Sequence, residues 1–503
     1  GAYSALLAAQ AAGELDAVLA LPDPDDLAKL DEVWSPAALW RPVPGQEIAA
    51  YFGVGVAQYF ILMRAYAWWL LPPTCAGLAS FAWNELRERS EGAAGGAFVY
   101  SLLSPGFVLL VVVWSTVSIT NWRRVACTSR HNLGQRTLDS AAPTFDSAWH
   151  YFKSRGLKVV EDGVEAQALP KTLSTSPLRP LRHVVAVFAM LALLSISGFV
   201  VGTLLWIGEW VEARTSNVVL QNSPVLLYVA VVGALEKFYG KIAEHLTVLE
   251  GHHIHSQHLR SLTIKTAFFQ LINNLGWFLY LAFWKRDFDY LRSQLLMFFT
   301  VKQVIGNIME IGVPWAQAAW HARAAAKKQR PRLNSAEAAL QRAIEQEWQR
   351  PPEEIGNDYL EVAVLFAAAT WFAPVFPLGM LLAFLHAVTE AWGDSYKVRA
   401  VTRRMVRQSD SEVVLEAWLD VFMLIGCMGI GISLALFRIV DLGWDRLHVE
   451  VGEKVIVFIW LYLQLSIPHE PEWLTLHLQQ VDRLLPLHDW LSTAGAAAQK
   501  KHA

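Results

Sequence analysis

Four carboxylates stand near the ends of a long apolar stretch that reads NDYLEVAVLFAAATWFAPVFPLGMLLAFLHAVTEAWGD from Asn357 to Asp394. Pro374 and Pro377 divide it, which predicts a helical hairpin. Folded about those prolines, Glu361 and Glu390 have their midpoint within one residue of Phe376, and so do Asp358 and Asp394. Each acid on the rising helix then meets one on the descending helix at similar depth. Asp358 and Glu361 are spaced i,i+3 and Glu390 and Asp394 i,i+4, so each pair shares a helix face. Four acids converging in apolar surroundings repel one another, and each costs about 2.5–3.5 kcal/mol at a helix centre. Either protonation neutralises them or a cation holds them. Hard oxygen donors in that number suit calcium, which takes about 6–8 oxygens, better than zinc, which favours nitrogen and sulfur. The competing reading is two unrelated pairs of helix-end acids reaching into lipid headgroups.

A fifth carboxylate favours the cation. The run LLMFFTVKQVIGNIMEIGVPW carries Lys302, Gln303, Asn307 and Glu310 inside an apolar span, with Glu310 towards the end that can meet the hairpin acids. An ion-pair reading needs cations, and the one lysine of that span, Lys302, cannot neutralise five acids. A second polar stripe interrupts the apolar run from Leu226 to Val248: Glu236, Lys237, Lys241, Glu244 and His245. Lys237, Lys241 and the Glu244/His245 pair share a face, and charge at that depth predicts a water-filled or headgroup-filled path. The alternative is an intrahelical charge patch at the rim.

The elements that carry these residues are membrane spans. Hydrophobic residues make up 54% of the chain, it holds 22 Trp, and its mean hydropathy is +0.30, values beyond an ordinary soluble protein. Segments long enough to cross lie at about 54–80, 97–120, 184–210, 223–248, 262–283, 293–318, 358–395 as the hairpin, 413–437 and 453–468. The fold class read from this is all-α integral membrane protein with ten transmembrane helices. Three divisions follow: a cytosolic N-terminal segment, 1–50; the membrane domain, 51–472; a cytosolic C-terminal segment, 473–503. Basic residues crowd the loops after the second, sixth and eighth spans, which puts both termini and the acidic ends of the hairpin on the cytosolic side.

Several features point elsewhere or nowhere. Cys75, Cys127 and Cys427 are too scattered for a disulfide framework or a metal knuckle. The chain starts at Gly1 with no signal-peptide pattern. The histidines His252, His253, His255 and His258 fall between the fourth and fifth spans and read as a solvated loop. Residues 334–350 read as a cytosolic connector helix opened by Asn334 and Glu337. No phosphate loop, nucleophile triad or His-Cys pair marks an enzyme, and no nucleic-acid partner is expected. A secondary transporter would carry an inverted repeat and a midplane site, and neither is evident.

Several blocks in order resemble the anoctamin family of calcium-activated lipid scramblases and chloride channels. They are WWLLPP at Trp68–Pro73, LEKFYGKIAEHLTVLEGHH, SLTIKTAFFQLINNLGWFLYLAFW, KQVIGNIMEIGVP, NDYLE with FPL and EAWGD, and IPHEPEW. The resemblance covers about Tyr51 to Leu485. It implies two calcium ions per subunit held by Glu310, Asp358, Glu361, Glu390 and Asp394, with Asn307 as a weaker ligand. It implies a membrane-exposed groove between helices three to seven, lined by Glu236, Lys237, Lys241, Glu244, Lys302 and Gln303. It also implies a homodimer with the last span near the symmetry axis, in the plasma membrane or an intracellular membrane such as the endoplasmic reticulum. The family's glycine hinge before the Lys-Gln pair is Val301 here, so Gly306 and Gly312 are the expected hinge. A further family site between helices two and ten uses acids where this chain has Asn121 and His469. Short anoctamins lean to moving phospholipids, which sets scrambling ahead of anion conduction as the expected function.

Overall fold

Lipid offers the backbone no hydrogen bonds, so long apolar segments must satisfy their own amides, and helices do so. The computed structural model describes residues 21–34, 41–89, 94–133, 179–212, 238–250, 252, 255–302, 350–351, 353, 355–404, 411–439, 446–468 and 471–476, with isolated positions between 214 and 235 and between 306 and 348. Among the described residues the structure is helix, turn and bend with no strand. In chain order the helices are α1 Pro24–Val33, α2 Gly45–Phe52, α3 Val54–Arg89, α4 Ala94–Asn132 and α5 Arg179–Glu212. Then come α6 at 238–250, α7 His255–Tyr280, α8 Phe288–Met297, α9 Ile355–Trp371, α10 Gly379–Tyr396, α11 Ser411–Ile439 and α12 Arg446–Ser466. Wider π-type turns continue α7 (Leu281–Lys285), α8 (Phe298–Lys302) and α10 (Lys397–Val401).

Among the described residues four helices, α3, α4, α5 and α11, are long and apolar enough by themselves to cross a membrane. The hairpin helices are shorter: α9 has 17 residues, hence about 26 Å of rise against about 30 Å of hydrocarbon. They compensate by burial, with Val362 to Phe372 enclosed almost without a break.

α3 continues through Pro72 and Pro73. Pro73 lacks the N–H that would reach the carbonyl of Trp69, and the indole of Trp114 on α4 donates to that carbonyl instead. Thr74 Oγ1 donates to Met380 O on α10 at 3.1 Å, tying the same stretch to the hairpin. Gly77 completes the fit, because a Cβ there would stand 2.5 Å from the carbonyl oxygen of Pro377. The turn between α9 and α10 therefore sits against α3, and Arg292 Nε caps it from α8 by donating to Val375 O at 3.0 Å.

The core lies between α3, α4, α9 and α11. Trp122 is its centre, with ring centroids 5.3 Å from Tyr66, 5.4 Å from Phe366 and 5.1 Å from Phe422, all edge-on. Trp371 is fully buried, and its indole donates to Ile425 O at 3.0 Å, so it brings no unpaired donor into the core. α5 differs. Phe188 and Phe199 are 68% and 77% exposed, and it packs through Met190, Leu193 and Leu194 on Tyr239, Ala243 and Phe269.

Candidate functional site

The hairpin brings Asp358 and Asp394 together, as their spacing about Phe376 predicts. Both are buried, and so is Glu390. Glu361 is exposed, so it does not share the enclosure of the other three. The physical reason is the helical period: Asp358 and Glu361 differ by about 300° around α9, so one lies at the edge of the face the other centres. Glu236, Lys237, Gln303, Asn307 and Glu310 lie outside the described residues, as does the side chain of Lys302.

Three partners of these acids, Tyr59, His386 and Lys397, and one residue that braces them, Tyr359, are not evident from the sequence. Tyr59 on α3 donates its hydroxyl to Asp394 Oδ2 and lies close enough to Asp358 and Glu390 for all three to bear on it electrostatically. Tyr359 stands edge-on to Tyr59 at 5.2 Å and stacks on Trp418 at 6.2 Å, which fixes the start of α9. His386 is buried one turn before Glu390, its Nε2 3.6 Å from Glu390 Oε1. Lys397, which sequence reading places in a basic cytosolic loop, is the largest correction. It is 5% exposed, donates to Asp358 Oδ1, and has its ammonium 3.6 Å from Asp394 Oδ1 and 3.7 Å from Glu353 Oε1. Lys302 is therefore not the one cation available. Glu353, just ahead of α9, is a buried acid whose two oxygens make no hydrogen bond.

Among the described residues, no three His, Cys, Asp or Glu side chains form a ready metal cage. Glu353, Asp358 and Asp394 instead surround an ammonium. The donor set is nonetheless one of hard oxygens around a single cationic centre, which fits a hard cation better than a soft one. As carboxylates, three acids around one ammonium leave two negative charges over.

Arginines just beyond Lys397 grip other parts of the chain. Arg399 donates to Trp34 O at 3.1 Å, lies over the Trp34 ring at 4.2 Å and pairs with Asp31 at 3.1 Å. Arg404 donates to Leu21 O at 2.7 Å and Tyr51 O at 2.9 Å, and its own amide donates to Glu347 Oε1 at 2.6 Å. Arg403 donates to Trp348 O at 2.6 Å. Glu347 and Trp348, near the end of the expected connector helix, are thus docked on this segment.

The expected groove is described in part. Lys241 is exposed and Glu244 half-buried on α6. Midway along α7, Gln270, Asn273 and Asn274 are only partly buried. Ser197 Oγ on α5 donates to Asn273 Oδ1 at 3.3 Å, and Asn274 Nδ2 donates to Gln270 O at 2.8 Å. These amides were in plain view in the sequence, and uncharged polar residues in the middle of a span were the available signal. Gly306 and Gly312 both lie in helical backbone, Gly312 in a π-type turn, and a Cβ at Gly306 would touch nothing. The place of the family's glycine hinge, Val301, falls inside the π-type turn Phe298–Lys302.

Two members of the histidine run, His252 and His258, do not fit a solvated loop, while His253 and the side chain of His255 lie outside the described residues. His252 and His258 are buried, and α5 packs beside the first of them: the His183 ring lies 5.9 Å from that of His252, Arg182 donates to Leu249 O at 3.1 Å and His183 stands 3.5 Å from Glu250 Oε1. Glu250 accepts from His252 Nε2 at 2.9 Å, Lys265 Nζ at 2.8 Å and Ser261 Oγ at 2.8 Å. Burial pushes its carboxyl up, but the bonds from His252, Lys265 and Ser261 outweigh it and hold the pKa down at about 2.

With this geometry in hand, known proteins supply the comparison. A family model described as "Anoctamin: Calcium-activated chloride channel" matches residues 48–481. Anoctamin-10 from Homo sapiens is 22% identical over 480 residues, 92% of this chain and 70% of the relative. Anoctamin-10 from Danio rerio is 25% identical over 407 residues, 78% of this chain and 59% of the relative. Anoctamin-3 from Mus musculus is 23% identical over 477 residues, 80% and 47% respectively. A family match that takes in nearly the whole helical assembly leaves one conclusion: this chain belongs to the anoctamin family.

Proposed function

We propose that the chain is a calcium-activated phospholipid scramblase, which passes lipid headgroups along a polar, laterally open groove while acyl tails stay in the membrane. The observation that carries this reading is the amide ladder Gln270, Asn273 and Asn274: partly buried polar groups midway along a helix whose neighbour α5 is mostly uncovered. A polar group facing hydrocarbon at that depth is unfavourable unless headgroups or water reach it. Lys241 and Glu244 continue the polar path towards one end of α6.

The acids Asp358, Glu361, Glu390 and Asp394, joined by Glu310 and with Asn307 as a weaker partner, are the proposed site for two calcium ions. Bound calcium would supply positive charge that the hairpin acids lack. Glu310 would then be drawn inward, with Gly306 and Gly312 allowing the sixth span to bend. Glu236, Lys237, Lys302 and Gln303 are proposed to line the groove beside it. We place both termini in the cytosol, with residues 51–472 as the membrane domain, and assign a homodimer. The exposed apolar face of α12, with Val457, Phe458 and Leu461, is the surface offered for the second copy.

Reconstitution into liposomes tests the reading. Labelled phospholipid in the inner leaflet should become accessible outside on addition of calcium. Calcium-dependent chloride flux without lipid movement would make the chain an anion channel instead, the activity named in the family description.

A further inference from the structure

We propose that Lys397 is a built-in competitor for the calcium site, and that Glu353 is where its ammonium withdraws when the ion binds. The inference rests on the calcium reading above. Lys397 holds Asp358 and sits 3.6 Å from Asp394, two of the acids that would ligate the ion. An ammonium and a divalent cation cannot share those oxygens, because they need the same lone pairs and repel each other at that range. One must leave.

Glu353 provides the destination. It is 8% exposed, its oxygens accept no hydrogen bond, and Oε1 lies 3.7 Å from the Lys397 ammonium. A charge-assisted hydrogen bond is about 2.7–2.9 Å long, so a shift of about 1 Å converts that approach into a full bond. Lysine suits the exchange: its charge is a compact point on a flexible stem, with three donors that can turn to new partners. Glu353 would otherwise stay a buried acceptor left unsatisfied, an uncommon state in folded proteins. Without the ion, Lys397 pairs with Asp358 and lies against Asp394. With it, Lys397 neutralises Glu353, and neither state leaves the ammonium unpaired. The exchange sets the calcium threshold, because the site is open only for the fraction of time that Lys397 leaves it.

Equilibrium binding of radioactive calcium to the purified full chain in detergent tests this without relying on transport. If Lys397 covers the acids nine-tenths of the time, Lys397→Met should bind calcium about tenfold more tightly. Glu353→Gln removes the destination and should weaken binding several-fold, yet have no effect in the Lys397→Met background, since it acts through that lysine. Lys397→Met binding no more tightly than the wild type would overturn the proposal. So would a Glu353→Gln effect that persists without Lys397, which would make Glu353 a direct ligand. Should Lys397→Met fail to fold, unchanged affinity in Glu353→Gln overturns it alone. The Glu390→Gln/Asp394→Asn pair separates the two readings. If that pair binds calcium as the wild type does, the site itself is wrong. If it does not bind and Lys397→Met is unaltered, only the competitor is wrong.

Discussion

Around Glu250, one buried carboxylate meets one buried ammonium, with Ser261, Thr247 and His252 filling the remaining bonds. Around Lys397, one buried ammonium meets three carboxylates, and one of those, Glu353, has no hydrogen bond at all. Both sites join a lysine to acids at helix ends, yet they are balanced differently. The first is balanced in charge as it stands and joins α5, α6 and α7. The second, with its acids ionised, carries surplus negative charge in a place where surplus charge is expensive, so it calls for protons or another cation. A buried ion pair alone says little about function. The charge left over after pairing is the informative quantity.

The contrast can be broken most sharply at the acids. Glu361→Gln with Glu390→Gln removes two charged donors, each worth about 1.5–3 kcal/mol, so the half-activating calcium concentration should rise about a hundredfold or more. The buried Glu390 should account for most of it. Glu250→Gln should leave calcium dependence where it was. A calcium curve that moves with Glu250 and not with Glu390 would reverse the assignment of the two sites.

Stability should respond in the opposite sense. Glu250→Ala strands Lys265 and should destabilise the protein by about 3–5 kcal/mol, read as a lower unfolding temperature in detergent. The pH dependence follows from the lowered carboxyl. Glu250 ionises near 4.5 when unfolded and near 2 when folded, so its stabilisation is whole above about pH 4.5 and is lost as pH falls from there towards 2. Wild type and Glu250→Gln should therefore converge in unfolding temperature across that window, and curves that stay parallel would count against the ion pair.

The smallest effect belongs to the proposed hinge. A Cβ at Gly306 meets nothing, so Gly306→Ala changes helix stiffness alone, by up to about 1 kcal/mol. Calcium-free transport should shift by a few-fold. If both basal activity and calcium response are unaltered, the bend lies elsewhere, with the π-type turn at Phe298–Lys302 the next place to look.

Sequence made the hairpin legible because two prolines and a symmetric set of acids leave few ways to fold it. Family membership was legible from several ordered blocks. Lys397 was hidden because it opens a run with Arg399, Arg403 and Arg404, and its i,i+3 spacing from Asp394 was the only sign that it turns back. Glu353 was hidden because it follows Pro351 and Pro352 and reads as linker. Tyr59 reaches Asp394 across 335 positions of sequence, a contact that no local pattern encodes. His252 misled for the same reason: it packs beside His183 on α5, a contact that no local pattern encodes.

One consequence concerns instruments attached to the protein. The segment from Lys397 to Arg404 carries the lysine that pairs with Asp358, and the same few residues clasp Leu21, Trp34 and Trp348. A fluorophore or fusion placed just ahead of Leu21 would load the backbone that holds Lys397. That end of the chain is a poor place for a silent tag and a good place for a reporter.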